Sequence, residues 1–196
     1  MSSVVGAVLA AGAGRRMGVP KAELALDGER LVDRAVRVLT DGGCDDVLAV
    51  IRPGVDVAGA RVAVNADPER GMRSSLELAV DAAGDADVIV LVLVDLPGLG
   101  SDAVRAVIGG WRPGRIVTAR YAARRGEARR DGLARRGHPI AMSPALWRAA
   151  LELAGADEGA RALLRARPEL VDEIDVTGDP QDLDTPADLQ RWRDSG

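Results

Sequence analysis

Phenylalanine is absent from the 196 residues, and cysteine, tyrosine, histidine, lysine and asparagine occur once each. A single thiol, Cys44, excludes an internal disulfide and a thiolate metal cage, and its expected place is in the core. Long apolar runs are missing too. The longest of consequence, Val88–Val94, is far too short to cross a bilayer, so no membrane partner is expected. Met1–Leu9 has no basic stretch and runs into a glycine loop rather than a cleavage site, so it does not read as a signal peptide. These features together predict a reducing, cytoplasmic setting. Nor is there a surplus of positive charge. A net charge of −4 argues against a general nucleic-acid binder, and only Tyr121 stands among the arginines of the basic stretch to stack on a base.

Hydrophobic residues at 47% and charged residues at 29% suit a globular chain, and 1–196 is read as one domain. Of 26 basic residues only Lys21 is a lysine. Lys, Asn and Phe have A/T-rich codons, so their scarcity points to a GC-rich genome, and the survivors Lys21 and Asn65 draw attention. A compact ammonium is retained where a planar guanidinium does not serve.

Periodicity orders the chain. Val4–Leu9 reads as a buried strand feeding the loop Ala10–Lys21. Val32, Ala35, Val36 and Leu39 repeat at helical spacing before Gly42 and Gly43. Val47–Ile51 and Arg61–Val64 read as strands, and a helix follows Gly71. Val88–Val94, rich in β-branched residues, suits a central strand covered on both faces. Ser101 is read as the cap of the next helix, and Arg115–Ala119 as a strand. Ser143-Pro144 and Thr185-Pro186 place caps before a proline, the latter with Asp188 as a near capping box. Alternating strands and helices predict an α/β Rossmann-like fold, a mostly parallel sheet with helices on both faces, with ligands beyond the carboxyl ends of its strands.

Three strand ends carry chemistry. After Leu9 the glycines Gly12, Gly14 and Gly18 allow backbone N–H groups to approach phosphate oxygens, while Arg15, Arg16 and Lys21 supply cationic charge. A P-loop is excluded because no Gly-Lys-Ser/Thr occurs, and a dinucleotide fingerprint because Met17 stands where glycine is needed. Asp95 follows the central strand, where a carboxylate needs a cation; Mg2+ fits, since it takes oxygen ligands beside phosphates. Asn65 ends another strand, and Ser74 and Ser75 open the following helix, where N–H groups and hydroxyls can hold an anion or a base edge. From residues alone His138, a lone histidine, reads as structural rather than catalytic, and Asp184 as a solvated loop residue as readily as a functional one.

The run Leu9-Ala10-Ala11-Gly12-x-Gly14-x-Arg16-Met17-Gly18-x-Pro20-Lys21 resembles the signature of MobA-like NTP transferases, especially their molybdenum-cofactor cytidylyltransferase branch. Ala11 and Pro20 match that branch, which favours CTP over GTP. The resemblance implies transfer of an NMP unit from an NTP to a small phosphorylated acceptor such as molybdopterin, with possible delivery to a molybdoenzyme or its chaperone. It implies that the loop residues, Arg15 included, wrap the nucleotide, with Arg16 and Lys21 on its phosphates. Asp95-Leu96-Pro97 and Asp182-Leu183-Asp184-Thr185-Pro186 match its metal-binding elements, and Asp184 is chosen over Asp182 to join Asp95 on Mg2+. Gly71-Met72-x-Ser74-Ser75-Leu76 matches its nucleotide and acceptor segment, implying that Asn65 and Ser74 serve the nucleotide and Ser75 the acceptor. Gly137-His138-Pro139 and Gly159-Ala160-Arg161 match elements that place His138 and Arg161 on the acceptor. Arg16, Lys21 and Asp95 are the expected catalytic residues. Two features depart from the pattern: Glu23 stands at a usually apolar position, and Arg120–Arg136 holds seven arginines in a segment longer than the family's, read as a solvated loop or an anion clamp. Two rival readings remain: an NADPH-dependent oxidoreductase, with Arg52 reading a 2′-phosphate, and a non-catalytic nucleotide-binding protein.

Overall fold

The computed structural model describes residues 2–122, 135–155 and 159–194, so most of the arginine-rich segment lies outside the described residues. Its centre is β1 (Val4–Ala10), buried along its whole length. The glycine loop leads through a 3-10 turn (Lys21–Glu23) to a small hairpin, β2 (Ala25–Leu26) and β3 (Glu29–Arg30), then α1 (Leu31–Asp41). β4 (Asp46–Ile51) and β5 (Arg61–Val64) follow, then α2 (Met72–Ala82), β6 (Val88–Leu93), α3 (Ser101–Gly110), β7 (Ile116–Tyr121), β8 (Arg135–Met142), α4 (Pro144–Leu153), α5 (Arg161–Ala166), β9 (Val171–Val176) and α6 (Pro186–Asp194).

Seven strands form one sheet in the order β5-β4-β1-β6-β8-β7-β9. The pairs β1/β4, β1/β6, β4/β5 and β7/β9 are parallel, while β8 runs antiparallel to both β6 and β7. The expected mostly parallel α/β sheet is therefore present, with one reversed strand inside it. Alternation along β6 explains why it reads as a continuous apolar run. Val88, Val90 and Val92 face one core layer with α1 and α3, whereas Ile89 and Leu91 face the other with α2 and α4. Trp147 of α4 is fully buried and donates its indole N–H to the Ile89 carbonyl.

Local signals fare unevenly. Ser143 accepts a hydrogen bond from the Leu146 N–H, and Thr185 and Asp188 form the reciprocal capping box. Ser101 is not a cap: Gly100 holds the extended N-cap position without a side-chain bond, and Ser101 is the first helical residue. Cys44 is buried, and that burial pushes its thiol up to about 12. Gly6 of β1 is matched to it, since a Cβ there would lie 2.8 Å from the Cys44 Sγ.

Candidate active site

The chain leaves β1, builds β4 and β5 on one side, and returns to place β6 on the other. A crevice opens where the strand order reverses, beyond the carboxyl ends of β1 and β6. Two loops fill that crevice with charge.

The first is the glycine loop. Gly14 has φ +59°, and a Cβ there would lie 2.0 Å from the Val19 carbonyl oxygen, so the turn closes only over glycine. Its carbonyl accepts from the N–H groups of Met17 and Gly18 at 2.8 and 3.0 Å. Gly12 differs: its φ is not positive and a Cβ would meet nothing within 4 Å. Nothing in the protein demands glycine there, and the open space above it admits a ligand to the backbone. Ala10 and Ala11 are buried, so that stretch offers a ligand only its main chain, while Leu9 lines a neighbouring cleft. Ala22, fully buried in the core, anchors the turn that carries Lys21.

The second wall pairs two distant segments. The Leu183 N–H donates to the Asp95 carbonyl at 2.9 Å, and the Asp179 N–H to the Gly98 carbonyl at 3.1 Å. Leu183 is buried and Asp182 exposed, while the Asp184 carboxylate meets the Lys21 ammonium. The Asp188 carboxylate of the capping box also accepts from the Asp184 N–H at 3.1 Å and fixes its backbone.

Lys21 joins the walls. Its Nζ donates to Asp95 Oδ2 at 2.7 Å and also to Asp184 Oδ1. Its side chain is only 15% exposed. Burial opposes its charge, yet the attraction and hydrogen bonds of Asp95 and Asp184 prevail and hold the ammonium above its ordinary value of 10.5. The other carboxylate oxygen, Asp95 Oδ1, is buried without a hydrogen-bond partner among the described residues. An anionic acceptor atom left over in this way is suited to a cation. Among the described residues no cluster of three or more His, Cys, Asp or Glu is set to bind a metal. Asp95 and Asp184 fit an ion that completes its oxygen shell from water and phosphate, as Mg2+ does.

Beside the crevice lies a cleft of about 490 Å³, lined chiefly by apolar side chains including Leu9, Met72, Leu76, Leu93 and Ile140, with His138 and Arg161 among the polar ones. His138 Nδ1 lies 3.0 Å from the Leu91 carbonyl, and Tyr121 donates its hydroxyl to the His138 carbonyl at 2.6 Å. Burial is the main influence on the imidazole and holds its pKa below the usual 6.5; the Leu91 bond and the charge of Asp95 pull the other way, and Arg161 adds to the lowering. Arg161 is the first residue of α5; Asp157 and Glu158, before it, lie outside the described residues.

The remaining sequence candidates stand elsewhere. Asn65 is buried and donates its amide to the hydroxyls of both Ser74 and Ser75 at 2.9 Å; Ser74 in turn donates to the Gly71 carbonyl. These three side chains hold the β5–α2 loop onto the first turn of α2, and no described contact joins them to Lys21. That loop does meet the glycine loop, through an exposed Arg15–Glu69 ion pair. Arg16 is exposed and has no side-chain partner among the described residues. Gly18, at φ +76°, closes the loop.

Thr118, Leu91 and Leu93 also line the cleft without any sequence signal pointing to them, and Arg136, the end of the basic segment, lines it as well. β8 was unread because Gly137 and Pro139 interrupt its pattern, and proline argues against an interior strand. Tyr121, the sole tyrosine, carried the same rarity signal as Lys21 and was weighed only as a stacking residue.

The MobA-like NTP transferase domain model matches residues 6–172. Nicotine blue oxidoreductase of Paenarthrobacter nicotinovorans is 36% identical over 96% of this chain and 95% of its own. A probable molybdenum cofactor guanylyltransferase of Opitutus terrae is 35% identical over 62% of each chain. Among solved structures, Rv0371c of Mycobacterium tuberculosis in complex with manganese is 26% identical, with a TM-score of 0.78 over 100% of both chains. No helix among the described residues is long and apolar enough to cross a membrane. A glycine loop and paired carboxylates at the switch point, on a chain matched along most of its length, lead to one assignment: the chain belongs to the MobA-like NTP transferase family, whose members are nucleotidyltransferases by type.

Proposed function

We propose that this chain is a divalent-metal-dependent nucleotidyltransferase that moves CMP from CTP to a small phosphorylated acceptor of the molybdopterin type and releases pyrophosphate. The observation that carries the reading is the single ammonium of Lys21 bridging Asp95 and Asp184 beneath a glycine loop. The acceptor phosphate, already ionised near neutral pH, attacks the α-phosphorus in line; the new P–O bond forms as the bond to the β-phosphate bridging oxygen breaks. Such a reaction needs positioning and charge neutralisation more than covalent help. Backbone N–H groups around Gly12 hold the triphosphate, with Lys21 and Arg16 countering charge on the departing pyrophosphate. Asp95 and Asp184 would hold Mg2+, which supplies Lewis-acid stabilisation of the reacting phosphates. The manganese complex of the M. tuberculosis relative supports a divalent ion here. Asn65 and Ser74 act by shaping the nucleotide side of the crevice, whereas Ser75, His138 and Arg161 serve the acceptor. The domain is taken as 1–196, working in the cytoplasm and handing its product to a molybdoenzyme or its chaperone.

A second reading has one specific support, the 36% identical relative named an oxidoreductase. Under it the cleft takes a reducible organic substrate and Arg52, just beyond β4, meets the 2′-phosphate of NADPH. A pyrophosphate-release screen crossing four NTPs with molybdopterin and other phosphorylated acceptors separates the two. The transferase reading expects CTP-dependent release that is lost in chelator and in Asp95→Asn. Release with no pair, together with NADPH oxidation that survives chelator, would refute it.

A further inference from the structure

Thr118 on β7 is 1% exposed, and its hydroxyl has no hydrogen-bond partner among the described residues. Alternation along β7 places it: Val117 and Ala119 belong to the core layer under α1 and α3, so Thr118 turns to the opposite face, where it lines the cleft. A buried hydroxyl without a partner costs the fold stability, and an isosteric valine avoids that cost. The hydroxyl is thus left for a partner from outside the described fold.

The strand pairing sets the surroundings of that hydroxyl. Thr118 pairs with Ile140 and Ala119 with Gly137, so His138 and Pro139 of β8 bulge out with no partner on β7. Proline has no N–H to give the ladder, and the His138 carbonyl is held by the Tyr121 hydroxyl. The imidazole crosses to the opposite neighbour and meets the Leu91 carbonyl. A carbonyl only accepts, so Nδ1 carries the proton; in the neutral ring Nε2 is then an acceptor. One bulge thus brings a fixed acceptor and an unspent hydroxyl to the leucine-lined part of the wall, with Arg136, Arg161 and Arg165 elsewhere on the same cleft.

We infer that Thr118 is a specificity-determining residue for the acceptor. Together with His138 it reads the polar edge of an uncharged ring system: an N–H or O–H donor opposite His138 Nε2 and a hydrogen-bonding atom opposite the Thr118 hydroxyl. The acceptor's phosphate lies toward Arg161 and the crevice. This inference rests on the transferase reading and adds to it the means by which the body of the acceptor, rather than its phosphate, is recognised.

The test compares wild type, Thr118→Val and Thr118→Ser with molybdopterin as acceptor and CTP as donor, alongside thermal melting without ligand. Thr118→Val is expected to melt at the wild-type temperature or above, to keep the KM for CTP, and to raise the KM for molybdopterin on the order of tenfold. Thr118→Ser keeps the hydroxyl and is expected to hold the wild-type KM within about threefold. If Thr118→Val uses molybdopterin as well as wild type, the inference is overturned while the transferase reading stands. If the valine and serine variants are impaired alike, loss of packing is the cause and the inference is again overturned. Wild type that releases no pyrophosphate with any acceptor would overturn both.

Discussion

Replacing Lys21 with methionine keeps the side-chain volume and removes the charge between two carboxylates. Asp95 is left 18% exposed with a second oxygen already unpartnered, and Asp184 is left 44% exposed. Breaking a fully buried pair costs about 3–5 kcal/mol. Water reaches Asp184 and screens part of the repulsion, so the expected loss is smaller, about 2 kcal/mol at neutral pH. For a domain of this size that lowers the melting temperature by about 4–8 °C. The measurement is a thermal and urea unfolding series in chelator for wild type, Lys21→Met, Asp95→Asn and the double variant. Because the cost comes from unpaired charge, Asp95→Asn is expected to restore more than half of what Lys21→Met removes, a coupling of at least about 1 kcal/mol. Millimolar Mg2+ is expected to stabilise Lys21→Met more than wild type, since the carboxylates then face no competing ammonium. Catalysis does not recover, because losing a preorganised cation at the transferring phosphates costs on the order of 10²–10³ in rate. A Lys21→Met variant that melts with wild type in chelator, or a double variant no better than the single, would refute the electrostatic account.

The glycine loop gives a contrasting pair. Gly14→Ala places a Cβ 2.0 Å from a backbone oxygen at positive φ, so it is expected to lower stability by more than about 1 kcal/mol and to abolish CTP binding, read by urea titration and calorimetry. Gly12→Ala meets nothing in the protein, so its stability is expected within about 0.5 kcal/mol of wild type, while the KM for CTP rises at least tenfold on the order of a lost phosphate contact. His138 supplies a pH dependence. Its folded pKa lies below 6.5, so as pH falls through 6.5 the unfolded chain takes a proton that the folded chain refuses, and stability declines. Urea unfolding at pH 7.5 and 5 is expected to show a smaller acid loss in His138→Gln than in wild type; equal losses would mean that the imidazole does not resist protonation.

How far the site could be read in advance depends on whether its residues announce themselves locally. The glycine loop and Asp95 each follow a strand whose apolar run is plain, and Lys21 closes that loop, so these candidates are picked out by short windows. Asp184 is different. From its own neighbourhood it is an acidic residue in a loop, and only the pairing of 179–183 with 95–98 carries it to Lys21. Burial of Leu183 does not separate Asp184 from Asp182, since both neighbours lie opposite it in an extended run; the contact with Lys21 does. Thr118 was illegible for a related reason. Threonine is at home in any strand, and its significance arises from a bulge on a neighbouring strand that proline and glycine hide from pattern reading.

The two proposed readings make different demands on the same geometry. Under the two readings proposed, the cleft of His138, Thr118 and the surrounding leucines takes either the body of an acceptor or a reducible substrate. Hydride transfer makes no demand on Lys21, Asp95 or Asp184, because no phosphate bond is broken. Nucleotidyl transfer as proposed uses all three. The Asp95 oxygen left without a partner among the described residues carries a stability cost that the cleft alone does not require. Lys21→Met is therefore decisive between the readings: an oxidoreductase keeps its turnover with an altered melting temperature, whereas a nucleotidyltransferase loses turnover even at temperatures where the variant is fully folded.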